Sequence, residues 1–511
     1  MTDIVITKIN DTWMKVVCKE VHQEMDIQDK FSFKVPNADH DPRVRKGVWD
    51  GIKKLYNRQT KRLYVGLLLD LIDLCGSKGW TYNVDKQLLP DFNESLDDDD
   101  IQGLVEFINP HSDGFKIEPY DYQLEALKYQ LNMNRSVCLA ATSAGKSLIL
   151  YMAVRCYQLM EDLVGKTIFI TVPTIDLVEQ LYDDFQDYST FDGSEWHVAR
   201  HCQKISGKYS KSIDKQIVIT TWQSMSKLPY DVFEDIGAIF IDETHSAKAD
   251  VLKNIIESAT SCPIRHGLTG TLNDTECDIK VITGILGPVK RIVTARELID
   301  EGRASNIEIT MCLLEHPNHS RELLSELKSK VEVKKKYNVE VEFINSLEYR
   351  REFIYNTIDS IKDQGNTLVI FDRVDSYGKQ LFEEYSKRHK DTHLNIGEID
   401  SETRKKLRIS IEDKNNAVIF ASFGTLSTGI SIKKLHNMII ISSNKSKIRA
   451  LQSIGRLMRL HSSKKSANIL DLVDNLTYNE KPNYYMEHAN QRLNFYKSEQ
   501  FDLNFLRFNL K

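Results

Sequence analysis

A chain of 511 residues has room for about three domains of ~150 residues, each large enough to bury a core of its own. It is 41% hydrophobic and 28% charged, and its net charge of -5 excludes a uniformly basic nucleic-acid coat, so a nucleic-acid partner must be met by local patches. The eight cysteines are scattered, with no C-x-x-C pair and no histidine cluster at zinc spacing, and read as free thiols in a reducing compartment. The first residues, M-T-D-I-V-I-T-K, lack the apolar h-region of a secretory leader, and the longest apolar stretch, Tyr64 to Cys75, is broken by Asp70 and Asp73. The expectation is a cytoplasmic protein that does not engage a membrane.

Residues 1–100 read as a small mixed α/β domain. Asp3 to Asn10 and Trp13 to Cys18 alternate as strands, Tyr64 to Cys75 has helical spacing, and the acidic run Asp97 to Asp100 reads as a solvated linker. Between them, Phe31 to Arg62 carries nine Lys and Arg, among them Arg43, Arg45, Lys46, Lys53 and Lys54, against three Asp, with Trp49 interleaved. A phosphate-contacting surface uses that mixture, and so does a solvated face with a few core aromatics.

From Ile117 strands alternate with helices, the pattern of a parallel sheet covered on both faces. The apolar run Val137 to Ala140 precedes a small-residue loop, Ala141, Thr142, Ser143, Ala144, and then Gly145-Lys146-Ser147 opens a helical stretch from Leu148 to Leu159. That order is a P-loop in which backbone N–H groups cradle phosphates, Lys146 reaches the β- and γ-phosphates and the Ser147 hydroxyl ligates Mg²⁺. Ala140 stands where GxxxxGK[ST] has its first glycine. Roughly 95 residues on, Ala238 to Ile241 runs into Asp242-Glu243-Thr244-His245, a Walker B segment whose Asp can position Mg²⁺ and whose Glu can accept a proton from the attacking water.

These segments resemble superfamily 2 helicases: Gln123 in the Q-type motif, A-T-S-A-G-K-S as motif I, P-T-I-D-L-V-E-Q as motif Ia, D-E-T-H as motif II and L-T-G-T as motif III. The resemblance implies a second RecA-like lobe, and after a charged connection, Arg321 to Tyr337, residues 366–474 again alternate strand and helix. Ser422 to Ser431, with Gly429, resembles motif V, and Gln452 to Arg459 matches Q-x-x-G-R-x-x-R of motif VI. Arg456 and Arg459, three apart on a helix, share a face and suit the charge that spreads over a γ-phosphoryl group in transfer, in a hydrolysis site split between lobes. The resemblance further implies that Gln123 recognises adenine and Gln452 orients the water.

The N-terminal F-S-F-K-V-P and V-R-K-G-V-W-D-G-I-K-K-L-Y-N segments, with G-E-I-D-S-E-T-R and N-K-S-K-I-R-A-L-Q-S-I-G-R-L-M-R later, are similar to the UvsW-type recombination helicases of T-even-like phages over nearly the whole chain, with Ala141 replacing a motif I proline. That family implies remodelling of branched DNA by branch migration, fork regression, and R-loop and D-loop unwinding, with RNA present in RNA–DNA hybrids, in a host cytoplasm. Along the expected strand path, helix starts and hydroxyls at Thr174, Thr221, Trp222 and Thr425 are the phosphate-contacting candidates, although Thr221 could be a helix cap and Trp222 core. The fold class expected is α/β: two tandem RecA-like parallel-sheet lobes (101–300 and 301–511) behind the small N-terminal domain, in a monomer using ATP and Mg²⁺. The rivals are a nucleotide-gated clamp without turnover and the motor subunit of a restriction system.

Overall fold

A computed structural model of the chain describes residues 2–511 apart from 37, 90–94, 193–195, 208–211, 245–248, 273–274, 400, 427–431, 433, 444–453 and 465. The N-terminal sheet contains β1 (Ile4–Lys8), β2 (Trp13–Cys18), β3 (Arg62–Tyr64) and β4 (Tyr82–Val84) in the order β3-β2-β1-β4. Its alternation is that of a half-buried sheet, with Ile4, Ile6, Met14 and Val16 inward and Val5 opposite Val17 on the exposed face. Helix Leu68–Lys78 buries Leu68, Leu71, Leu74 and Cys75 and stops at Gly79, whose φ of 69° supplies the left-handed C-cap.

The acidic run corrects the linker expectation. Asp97 caps helix Asp98–Ile108, accepting from the Asp100 N–H while the Asp100 carboxylate accepts from the Asp97 N–H, each at 2.9 Å. Asp98, Asp99 and Asp100 fill the first turn, where the exposed N–H groups and the helix dipole favour negative charge.

The chain divides into two compact units: Met1–Ala140 with Ala144–Val293, and Ala141–Ser143 with Thr294–Lys511. In the first, the N-terminal sheet and a seven-stranded parallel sheet share one continuous apolar core. Polar ties reinforce it: Tyr64 Oη donates to Glu257 (2.6 Å), Lys280 pairs with Asp70 (2.6 Å), and Arg265 Nη2 donates to Thr12 Oγ1 (2.9 Å), which donates on to Ile256 O. The large sheet comprises β5 (Arg135–Ala140), β6 (Thr167–Val172), β7 (Cys202–Ile205), β8 (Ile217–Thr221), β9 (Ile236–Asp242), β10 (Ile264–Thr269) and β11 (Val289–Val293), in the order β7-β8-β6-β9-β10-β5-β11. Its inner strands β6, β8 and β9 are buried on both faces, hence their largely apolar runs.

The second unit repeats that winding. Strands β12 (Asn306–Glu315), β13 (Thr367–Phe371), β14 (Thr392–Asn395), β15 (Val418–Ser422), β16 (Asn437–Ile440), β17 (Ser466–Asn475) and β18 (Asp502–Asn509) run parallel in the order β14-β15-β13-β16-β17-β12-β18. Every strand therefore takes the place its counterpart seven strands earlier takes in the first sheet. The architecture is α/β with tandem RecA-like lobes and a small mixed N-terminal sheet. The stretch read as a charged connection is largely helical, in Asn318–Ser329 and Lys336–Ser346, because Leu324, Val341 and Ile344 face inward while Lys328 and Glu340 pair at 2.7 Å. β18 was not expected: it lies beside β12 with Leu506 opposite Cys312, a pairing of residues almost 200 apart.

Candidate nucleotide and nucleic-acid sites

In a doubly wound parallel sheet, ligands sit at the carboxyl ends of the strands, and the first sheet places its polar segments there. β5 ends at Ala140, and helix Lys146–Leu159 begins directly after Gly145. Ala140 is still paired as strand, opposite Val293, so a Cβ there is harmless. The conformational freedom is needed at Gly145, whose φ is 73° and where a Cβ would lie 2.4 Å from Gln123 Nε2. Ser143 is also left-handed, at φ 72°. Gln123 braces the loop from below: it is 4% exposed, its Nε2 donates to Ala144 O (3.0 Å) and its Oε1 accepts from Tyr120 N–H (2.9 Å).

Lys146 Nζ folds back toward Ala140 O (3.5 Å) and lies 4.0 Å from Glu243 Oε1. Asp242 closes β9 between β6 and β10, and Glu243 follows it at φ 50°. Burial, then the neighbouring Glu243 charge, push the Asp242 carboxyl up to about 7, while Lys146 acts in the opposite direction. Asp184, from helix Ile175–Tyr188, adds a weaker push. Thr244 Oγ1 donates to Ile241 O (3.1 Å) and Leu268 O (3.3 Å), locking the end of β9 to β10. Ser147 Oγ is hydrogen-bonded to Tyr188 Oη at 2.9 Å. Sequence reading missed Tyr188 and Asp184; their i, i+4 spacing on the helix after P-T-I-D-L-V-E-Q was the available signal.

This donor set fits Mg²⁺. Among the described residues no group of three or more His, Cys, Asp or Glu forms a protein cage, and Mg²⁺ is ordinarily held by one or two protein oxygens with phosphates and water. One hydroxyl and one carboxylate whose charge is under-compensated, beside a phosphate-binding loop, supply that.

In the second unit, Arg456 lies in the helical turn at 454–457 and Arg459 just after it, both half-buried. The end of the turn is held: Lys464 Nζ donates to Leu457 O (2.6 Å), Ser305 N–H to Met458 O (2.7 Å) and Ser305 Oγ to Arg459 O (3.1 Å). Burial and the Arg459 charge push the Lys464 amine down to about 8. Gln452 and Gly429 lie outside the described residues.

Of the nucleic-acid candidates, Thr174 caps helix Ile175–Tyr188 and Thr221 caps the short helix Trp222–Met225. Trp222 packs in the core at 7% exposure, and Thr425 is buried, donating to Asn395 O (3.0 Å) and Ser422 O (2.9 Å). The structure thus places three of these side chains, Thr221, Trp222 and Thr425, inside, and only Thr174 is half-exposed. In the N-terminal basic stretch, Asp41 caps helix Pro42–Arg45 and pairs with Arg43 (2.8 Å), whose guanidinium stacks 4.8 Å over Trp49. Lys54 pairs with Asp50 (3.1 Å). Lys53 is half-buried and close enough to Cys277 to lower its thiol pKa, although burial raises it overall. Arg45 and Lys46 are exposed with no carboxylate partner among the described residues.

A tandem pair of identically wound sheets with a phosphate loop and an acidic pair on the first defines a nucleoside-triphosphate-driven motor. Comparison agrees: residues 116–274 match the family model of the type III restriction enzyme res subunit, and residues 349–461 match the helicase conserved C-terminal domain. The ATP-dependent DNA helicase uvsW of Enterobacteria phage T4 is 33% identical over 494 residues, covering 93% of this chain and 94% of that protein. The crystal structure of T4 UvsW superposes with a TM-score of 0.52 at 30% identity over 100% of both chains. The DEAD-box helicase Mss116, in its structure with ssRNA and UDP-BeF, shares the fold with a TM-score of 0.56 at 14% identity, over 82% of this chain and 79% of its own. The chain belongs to the UvsW-type ATP-dependent helicases of superfamily 2. No helix among the described residues is long and apolar enough to cross a membrane.

Proposed function

We propose that the chain uses Mg-ATP to move along DNA and remodel branched substrates, by branch migration, fork regression and unwinding of D-loops and R-loops, the last bringing RNA–DNA hybrids within reach. The observation that carries the nucleotide half is that Lys146, after the end of β5, and Glu243, after the end of β9, approach to 4.0 Å at the same edge of the sheet, one strand apart. Ala140 to Ser147 would wrap the phosphates with backbone N–H groups, Lys146 would neutralise the β- and γ-oxygens, and Ser147 and Asp242 would hold Mg²⁺, which supplies charge neutralisation on the phosphates. Glu243 would accept the proton of the attacking water. Adenine recognition by Gln123, water orientation by Gln452, a nucleotide contact at Gly429 and the finger roles of Arg456 and Arg459 rest on the helicase motifs. We read residues 1–100, 101–300 and 301–511 as nucleic-acid-binding domain, ATP-binding lobe and C-terminal lobe of a protein active as a monomer in the cytoplasm.

A motor that grips one strand gains no junction preference from that grip, so branched substrates call for a second contact on duplex. Arg43, Arg45 and Lys46 are its best carriers, with Trp49 as their platform; Asp41 offsets part of the Arg43 charge, so Arg45 and Lys46 weigh most. Lys53 and Lys54 would contribute less, one half-buried and the other already paired. The test is strand displacement on forked, three-strand and four-way DNA alongside salt-dependent binding. Changing Arg43, Arg45 and Lys46 together to Ala should weaken four-way and forked DNA binding and flatten its log-log salt slope by about two to three units, at roughly 0.9 per phosphate released. ATPase at saturating single-stranded DNA should stay near wild type. An unchanged slope would make the patch a solvated face, and a collapse of ATPase would make it part of the strand track. ATP turnover without any strand displacement would favour a restriction-type translocating motor, the reading suggested by the family match at residues 116–274.

A further inference from the structure

The P-loop helix carries a stripe that the nucleotide chemistry leaves unexplained. Ser147, Tyr151 and Arg155 stand at i, i+4 and i+8 and therefore share one face. Each meets the segment at and after the end of helix Ile175–Tyr188. Ser147 Oγ meets Tyr188 Oη at 2.9 Å, the Tyr151 ring lies 5.5 Å from the Tyr188 ring, and Tyr151 Oη donates to Asp192 Oδ2 at 3.0 Å. Arg155 closes the stripe with a bidentate pair to Asp192, 2.9 Å from Nε and 3.0 Å from Nη2, and its guanidinium stacks 4.8 Å over Trp196. Tyr151 and Arg155 are almost wholly buried, so the clamp is rigid core and Tyr188, at the edge of the loop, is held by it.

We propose that Tyr188 is the positioning residue of the P-loop serine: its phenol oxygen accepts a hydrogen bond from the Ser147 hydroxyl and so turns a serine lone pair toward the cation. The proposal rests on the reading of Ser147 as a Mg²⁺ ligand. A hydroxyl that offers a lone pair to a cation must direct its proton elsewhere. Tyr188 Oη is the one hydrogen-bond partner of Ser147 Oγ among the described residues. Without cation either oxygen can be the donor; with it, the serine-to-tyrosine direction gives the serine proton an acceptor and leaves both serine lone pairs free of hydrogen bonds. No covalent change is involved.

The test uses the full chain, a fluorescent ADP analogue and Mg²⁺ titration. Tyr188→Phe keeps the ring against Tyr151 and removes only Oη. The Mg²⁺ concentration giving half of the Mg-dependent gain in ADP affinity should rise about tenfold, the usual size for loss of a partner that orients a metal ligand, while ADP affinity in EDTA stays at the wild-type value. In a Ser147→Ala background the second change should add nothing. An unchanged Mg²⁺ midpoint overturns the proposal, and an equal fall in affinity with and without Mg²⁺ also overturns it by making Tyr188 a structural support of the loop. If Ser147→Ala itself leaves the Mg²⁺ midpoint untouched, the underlying assignment of Ser147 fails. That outcome is separable, since it appears with Tyr188 intact.

Discussion

At the end of β9 in the first sheet, the Asp242 carboxylate accepts one hydrogen bond from a described residue, the Glu243 N–H at 2.9 Å, and its pKa is raised by burial and by Glu243. Near the end of β17 in the second, Asp474 accepts from Arg350 Nε (2.7 Å) and Nη2 (2.8 Å) and lies 2.9 Å from His316 Nε2. Burial opposes its charge, but Arg350 and His316 hold its pKa below the usual range. Three residues earlier, Asp471 takes a second bidentate arginine, Arg492, and the Tyr496 hydroxyl at 3.0 Å. The two sheets are wound alike but the two carboxylates stand on non-equivalent strands, β17 being the counterpart of β10, and what separates them is the set of side chains around each. A carboxylate saturated by guanidinium is a structural strut, whereas one left under-compensated at a strand end has capacity for a cation brought in with a ligand.

The largest effect that could break this contrast is on turnover. Lys146→Ala should lower DNA-stimulated phosphate release by at least ~10³-fold, about 4 kcal/mol of barrier. Glu243→Gln should lose turnover to a similar extent, about 10³-fold, while keeping nucleotide affinity, since the amide is nearly isosteric but cannot take the proton. Near-normal release in the first variant would remove the P-loop assignment, and lost affinity in the second would make Glu243 structural.

Next in size is stability. Asp474→Asn leaves Arg350 buried without its counter-charge and should destabilise the second unit by about 3–5 kcal/mol, measured as a shift in its urea unfolding. The matching change in the first unit, Asp242→Asn, removes a carboxylate that repels Glu243 and should leave unfolding within about 1 kcal/mol of wild type while turnover collapses. Equal destabilisation by both substitutions would erase the distinction.

A smaller effect concerns protons. The first unit buries His266 as a neutral ring, 2.8 Å from Ser136 Oγ and 2.7 Å from Tyr157 Oη, whose own proton goes to Gln130 O. Burial, then Arg135, push it down to about 3. The unfolded chain binds a proton here below pH 6.5 and the folded chain does not until about pH 3. Stability from this group is thus complete above pH 6.5 and falls through that window by at most about 1.4 kcal/mol per pH unit. His266→Gln should flatten the loss between pH 7 and pH 5 by about 2 kcal/mol, read from urea midpoints at the two values; an unaltered pH dependence would mean that His266 takes its proton while folded.

Local chemistry was open to reading along the chain. A P-loop is contiguous, Asp242-Glu243 follows its own apolar strand, and each strand buried on both faces declares itself as an unbroken run such as Thr367–Phe371. Charge misled where it served a helix: Asp97 to Asp100 as a cap and first turn, and Arg321 to Tyr337 as the outer faces of two helices whose few inward residues are easily overlooked. Composition could not separate Trp222 as core from Trp222 as surface either, because an aromatic ring serves both.

What sequence by itself determined is the set of motifs and the identity of the phosphate, metal and base candidates, because each is encoded within a few residues. Tertiary structure alone decided which carboxylates are saturated and which are not, that Ser147 meets Tyr188 41 residues away, that Arg350 meets Asp474 124 residues away, and that the last strand joins β12 to complete a second sheet wound like the first. Those facts depend on pairings between distant segments, and no local propensity specifies which of many distant partners will be brought within 3 Å.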